Sequence, residues 1–118
     1  MKNPTKKIYL LTAAIVFAIT SALFAQEKKS TEEIKIKTSA LCEMCKARIE
    51  KALAYQKGVK KAVLDLETKE VAVVYKPEKT NPEKLRKAIA KTGYDADSVH
   101  AEKSAYDNLP NCCKKGGH

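Results

Sequence analysis

The chain has 118 residues, 44% of them apolar, with no Trp, two Phe and four Gly, a composition that excludes a collagen-like or disordered polymer. This length holds one domain of roughly 70 to 100 residues plus extensions, so a second folded domain is not expected. The formal net charge is +9, yet the lysines are interleaved with glutamates, as in "PEKTNPEKLRKAIAK", and no ring-rich strand offers a surface for bases. That argues against nucleic acid and leaves only a broad preference for acidic partners or anionic membrane surfaces.

Lys2, Lys6 and Lys7 precede "IYLLTAAIVFAITSALFA", an uncharged run from Ile8 to Ala25, and "AQEKKSTEE" then restores polarity. Basic start, apolar middle and polar flank form a secretory signal over residues 1–25, with Ala25 at the cleavage point and Thr20-Ser21-Ala22 as a second cut. The competing reading is an uncleaved N-terminal membrane anchor, for which the run is slightly short of the ~20 residues a spanning helix needs. Cleavage places the mature chain in the periplasm or outside the cell, with a charge of +6 once the three leader lysines are gone. Residues 26–31 read as a linker, 32–99 as the folded domain and 100–118 as a flexible tail containing cysteines.

"EEIKIKT" alternates, Ile34 and Ile36 on one side and Lys35 and Lys37 on the other, the period-two mark of a half-buried strand. The period changes at "CEMCKARIEKAL", where Cys45, Ile49, Ala52 and Leu53 form a helical apolar stripe, with Lys46, Arg48, Glu50 and Lys51 expected to face outward. Gly58 is expected to close this helix as a left-handed residue. Two strands follow, "VKKAVLDLE" and "EVAVVY", joined by a hairpin-length link at Glu67, Thr68 and Lys69. Ala62, Leu64 and Leu66 face inward from the first, and Val71, Val73 and Tyr75 from the second. Asn81 as N-cap, Pro82 at the first helical position, Leu85, Ala88 and Ile89 as a stripe and Gly93 beyond the end punctuate a second helix. "YDADSV" supplies a short closing strand. The order β-α-β-β-α-β is that of an α+β, ferredoxin-like sandwich, an antiparallel sheet with two helices on one face.

Such a fold hosts many functions, so chemistry must come from the site. Cys42 and Cys45 stand three apart where loop becomes helix. The unpaired N–H groups and positive dipole end of a helix N-terminus favour the thiolate, and Lys46 adds charge. Two residues between the cysteines let both sulfurs converge on one ion. Two thiolates suit a soft ion of low coordination number, Cu(I) or Hg(II), whereas zinc normally takes four ligands.

These marks, with "IEKAL", Gly58-Val59 and Gly93-Tyr94 at their spacings, resemble the heavy-metal-associated domain, the module of copper chaperones, of metal-transporting P-type ATPases and of periplasmic mercury-binding proteins. The resemblance covers about residues 32 to 99. It implies metal ligation by Cys42 and Cys45, a loop at Gly93-Tyr94 flanking the site, and capture of a soft ion for trafficking to a transporter or for sequestration. Cu(I) leads, with a mercury(II) scavenger as runner-up and Zn(II) as a further alternative. The partner it implies is the metal-binding domain of a membrane transporter, and the chain is read as a monomer, a metal-bridged dimer being the other option. Two departures stand out. The family's Gly-Met-Thr/Ser before the first cysteine reads Ser39-Ala40-Leu41 here, with a loop one residue longer, and the Met that props that loop is missing, Leu41 or Ala40 taking its place. Met44 reads as a partly exposed apolar filler, and Tyr94 either as a core ring with its hydroxyl in water or as a shield for the metal.

Cys112 and Cys113 lie outside the resemblance. Three readings are open for them: extra thiolate ligands, a disulfide to Cys42 or Cys45, or thiols that pass metal onward. His100 and His118 read as solvated side chains. A thiol-disulfide oxidoreductase is the rival of another class, but such enzymes carry C-x-x-C in a larger fold, usually behind a Trp. A disulfide-stapled structural module is the third. The chain is accordingly read as a binding protein and not as an enzyme.

Overall fold

The computed structural model describes residues 30–115. The leader, most of the linker and His118 therefore lie outside the described residues. Strand β1 (Glu32–Lys37) leads to helix α1 (Glu43–Ala54), strands β2 (Val59–Asp65) and β3 (Glu70–Tyr75), and helix α2 (Pro82–Thr92). A short helix α3 (Lys103–Asp107) and a 3-10 turn (Asn111–Cys113) follow.

The sheet is antiparallel, in the order β1-β3-β2. Ile36 stands opposite Val71 and Ile34 opposite Val73, while Leu64 faces Val71 from the other side. Because side chains alternate along a strand, this register puts Ile36, Val71, Val73, Tyr75 and Leu64 on one face, all buried. Cys45, Ile49 and Leu53 of α1 and Leu85, Ala88 and Ile89 of α2 cover that face and are buried with it. Val63, on the opposite face, stays exposed. The strand periods and both helical stripes are as the sequence predicts. The cap of α2 is also as expected, with Asn81 Oδ1 accepting from the Lys84 N–H at 2.9 Å and Gly93 left-handed at φ 108°.

Four details differ. Glu50 is half-buried rather than turned fully outward: its carboxylate accepts from the Leu64 N–H at 2.8 Å. Leu64 lies on an edge strand, whose outward N–H has no ladder partner, so the side chain of α1 satisfies it. Gly58 does not close α1, which ends at Ala54 with an ordinary right-handed cap at Tyr55. It takes φ +90° in the turn into β2, where a Cβ would stand 2.8 Å from that of Lys79, so close approach of two backbone segments calls for glycine.

The closing strand shrinks to isolated bridges of Ala96 with Thr38 and with Val99. Asp97 is the reason. It turns left-handed at φ 51° and its carboxylate, not a backbone carbonyl, accepts from the Lys37 N–H at 2.9 Å, while its own N–H donates to the Lys37 carbonyl at 2.8 Å. One edge of β1 is thus finished by a side chain, held in turn by Arg86 at 2.8 Å.

Residues 100–118 were expected to be a flexible tail, but of these the described residues 101–115 pack on the domain. The Ala101 N–H donates to Asp95 Oδ1 at 2.9 Å and the Glu102 N–H to the Ala90 carbonyl at 3.0 Å. Leu109 and Cys113 are buried in the core cluster and Tyr106 packs against it. Tyr106 and Leu109, three residues apart across one turn, form the apolar anchor, and Pro110 ends the turn. Gly93 leaves room for it, since a Cβ there would lie 3.0 Å from the Ala105 carbonyl oxygen and 3.1 Å from Leu109 Cδ2.

Candidate metal centre

The loop between β1 and α1 is held by its polar residues. Thr38 is buried; its hydroxyl donates to the Lys69 carbonyl at 2.8 Å and accepts from the Ala40 N–H at 3.2 Å. Ser39 Oγ accepts from the Asp95 N–H at 2.9 Å, tying the loop to the segment after α2. Ala40 is fully buried and Leu41 packs against the core, so these two fill the volume under the loop.

Cys42 is the N-cap of α1, in extended conformation, and its carbonyl accepts from the Lys46 N–H at 3.1 Å. Cys45 is the third helical residue and wholly buried, whereas Cys42 is half-buried. Their sulfurs are 3.2 Å apart. The spacing in sequence therefore becomes a pair in space, one sulfur reachable from solvent and the other behind it.

The docked C-terminal segment brings the remaining sulfurs to the same place. Cys42 Sγ is 3.6 Å from Cys112 Sγ and 3.7 Å from Cys113 Sγ. Cys112 and Cys113 sulfurs are 3.9 Å apart. All four cysteines are free thiols, and Cys42, Cys112 and Cys113 place their sulfurs within 4.8 Å of one another. Adjacent residues in extended chain point to opposite sides. The 3-10 turn, fixed by the Cys113 N–H to Pro110 carbonyl bond of 2.9 Å, turns both to one side. Met44 is half exposed and its sulfur lies 4.0 Å from that of Cys112, at the rim.

The two helix-start cysteines titrate differently. Burial raises the Cys42 thiol, but hydrogen bonding from Cys45, Cys112 and Cys113 outweighs this and brings it down from 9.0 to about 7. Burial, with Cys113 and Cys42 adding to it, pushes Cys45 up to about 11. A helix N-terminus was expected to favour the thiolate at both positions; for Cys45, enclosure wins. Burial likewise raises Cys113, and hydrogen bonding to Cys42 raises Cys112. The four sulfurs thus form one contact cluster in which the Cys42 thiol is the most acidic, and a bound soft cation would displace the remaining protons.

Tyr94 closes the inner side. It is fully buried, its hydroxyl has no hydrogen-bond partner, and its pKa is raised by burial and by the neighbouring Cys113 and Cys45 sulfurs. The hydroxyl therefore does not reach water. Sequence reasoning missed the docking of Tyr106 and Leu109; their three-residue spacing before Pro110 was the available signal.

The chain matches the family model described as "Heavy-metal-associated domain" over residues 37–95. The copper-exporting P-type ATPase of Staphylococcus aureus (strain JH9) is 44% identical over 66 residues, which are 56% of this chain and 8% of that protein. The copper-exporting P-type ATPase of Staphylococcus epidermidis (strain ATCC 12228 / FDA PCI 1200) is 34% identical over 76 residues, 64% of this chain and 10% of that one. The chain thus spans about a tenth of these relatives' length. Among solved structures, the CopZ metallochaperone is similar at a TM-score of 0.54 and 30% identity, over 55% of this chain and 98% of that one. Oxidized MerP from Ralstonia metallidurans CH34 gives 0.56 and 29%, over 58% and 96%. The chain belongs to the heavy-metal-associated domain family.

Proposed function

We propose that this chain is exported through its leader, captures Cu(I) with Cys42 and Cys45, and either delivers it to the metal-binding domain of a membrane transporter or keeps it from harm. The observation that carries this reading is the 3.2 Å pair of sulfurs at the start of α1, one of them half-buried and held near neutral pH at the border of ionisation. Soft thiolates select a soft monovalent ion over oxygen-seeking cations. Identity to copper-exporting ATPases supports copper. Hg(II), another soft ion, is the second reading, since the same two sulfurs serve either ion.

Delivery proceeds by ligand exchange. A partner thiolate attacks the bound ion before the first sulfur leaves, no electron is transferred, and the protons of thiols that become ligands go to solvent. The test is a titration of reduced protein with Cu(I) against a competing chelator, beside the Cys42→Ser, Cys45→Ser variant and a parallel Hg(II) titration. The variant is expected to lose binding by several orders of magnitude; equal affinity in both proteins removes the reading.

A further inference from the structure

Two sulfurs suffice for the function proposed above, yet four converge. The edges of the triangle formed by Cys42, Cys112 and Cys113 are 3.6, 3.7 and 3.9 Å. A point equidistant from three such sulfurs lies about 2.2 Å from each, within a few tenths of an ångström of the ~2.3 Å typical of a d10 ion bound to thiolate. A linear two-sulfur site needs its sulfurs about 4.6 Å apart, twice that bond length. Cys42 and Cys45, at 3.2 Å, would have to spread by more than an ångström to make one, in a packed loop where Ala40 and Cys45 are fully buried. The triangle needs almost no movement.

A second, independent observation points the same way. The buried Tyr94 hydroxyl has no hydrogen-bond partner of good geometry, an arrangement that disfavours the empty cluster. Its neighbours are Cys45 and Cys113. A thiol is a weak acceptor and a metal-bound thiolate a good one, so loading the cluster supplies what Tyr94 lacks. The segment that delivers Cys112 and Cys113 is built to stay, with Leu109 buried, the Glu102 N–H on the Ala90 carbonyl and the Lys115 N–H on the Tyr106 hydroxyl at 3.0 Å.

The geometry points to Cys112 and Cys113 as metal ligands: we propose that the chain completes its own coordination sphere, holding one thiophilic ion with at least three of the sulfurs of Cys42, Cys45, Cys112 and Cys113. This rests on Cys42 and Cys45 being the capture pair and adds a consequence to it. An ion bound by two sulfurs is open to a partner's thiolate, whereas one bound by three or four is occupied by the chain's own. Retention is favoured, and transfer requires the C-terminal segment to yield a sulfur first. Ligation is again exchange without electron transfer, each entering thiol giving its proton to solvent.

The experiment uses the reduced full chain, purified anaerobically and loaded with one equivalent of Cu(I). X-ray absorption counts the sulfurs on copper, competition with a chelator gives affinity, and sedimentation gives the oligomeric state. The expected result is a monomer with three or more sulfurs on copper, affinity at least tenfold above that of the Cys112→Ser, Cys113→Ser variant, and two sulfurs in that variant. Because Cys113 is buried, its substitution can loosen the fold; Cys112→Ser alone, at a half-buried position, is the control and is expected to lose at least threefold. Two sulfurs in the unaltered protein, unchanged affinity in the double variant, or a third sulfur supplied only in a copper-bridged dimer overturns the proposal while leaving capture by Cys42 and Cys45 standing. No copper binding by the unaltered protein overturns both.

Discussion

Leu109→Ala tests whether the C-terminal segment is held by packing. Leu109 is 5% exposed and belongs to the core cluster, with its Cδ2 against the backbone of Gly93. Full burial of a leucine is worth about 1.5–3 kcal/mol in transfer alone, and Leu→Ala in a core costs about 2–5 kcal/mol once the cavity is included. This site lies at the domain's rim, under a segment that can settle inward, so the lower part of that range applies, about 2–3 kcal/mol. Local opening draws on docking energy and not on global stability. The population in which residues 103–115 are undocked is therefore expected to rise about 30- to 150-fold, at tenfold per 1.4 kcal/mol. The assay is alkylation of Cys113 in the reduced apoprotein, read by mass spectrometry, because this residue is 2% exposed while the segment is docked. The urea midpoint of the βαββα body is expected to move much less. If Cys113 is alkylated in the variant within about threefold of the unaltered rate, less than 1 kcal/mol by the same conversion, Leu109 does not anchor the segment and the packing argument fails.

Three further outcomes follow from the site and its scaffold. Alkylation of Cys42 in the reduced apoprotein should follow a midpoint near pH 7, whereas Cys45 should resist until about pH 11; a common midpoint near 9 for both would contradict the arrangement. Since the Cys42 pKa is depressed by folding, its contribution to stability is fully present above the ordinary thiol range and is lost as pH falls through about 7, which urea melts across that interval will register. Glu50→Ala should lower stability by about 1–3 kcal/mol by leaving the buried Leu64 N–H unpaired, with Glu50→Gln costing less because it keeps an acceptor; equal losses in the two variants would remove the hydrogen bond as the cause. Gly58→Ala should cost about 2 kcal/mol or more, from the left-handed conformation together with the contact on Lys79, and an unchanged thermal midpoint would refute it.

Much of this protein was written in local pattern. The alternation of Ile34 and Ile36, the stripe Cys45, Ile49 and Leu53, and the Asn81-Pro82 start with its Gly93 stop each depend on residues within one or two turns of each other, so period and capping chemistry were enough to place them. Cys42 and Cys45 were legible for the same reason: three residues across a first helical turn can only be neighbours. Chemistry that hangs on those few bonds is decided by order along the chain.

What depended on distant partners was not legible. The fourth strand failed because Asp97 folds back on Lys37, sixty positions away, and Glu50 turned inward because an edge strand of the sheet had a donor to fill. The same holds for the sulfurs. Sequence proximity put Cys45 near Cys42, but only the packing of Leu109 under Gly93 and the tight turn after Pro110 carries Cys112 and Cys113 some seventy residues back to the start of α1. Tertiary surroundings also separate the two helix-start thiols in acidity, since hydrogen bonding with Cys45, Cys112 and Cys113 lowers Cys42 while burial raises Cys45.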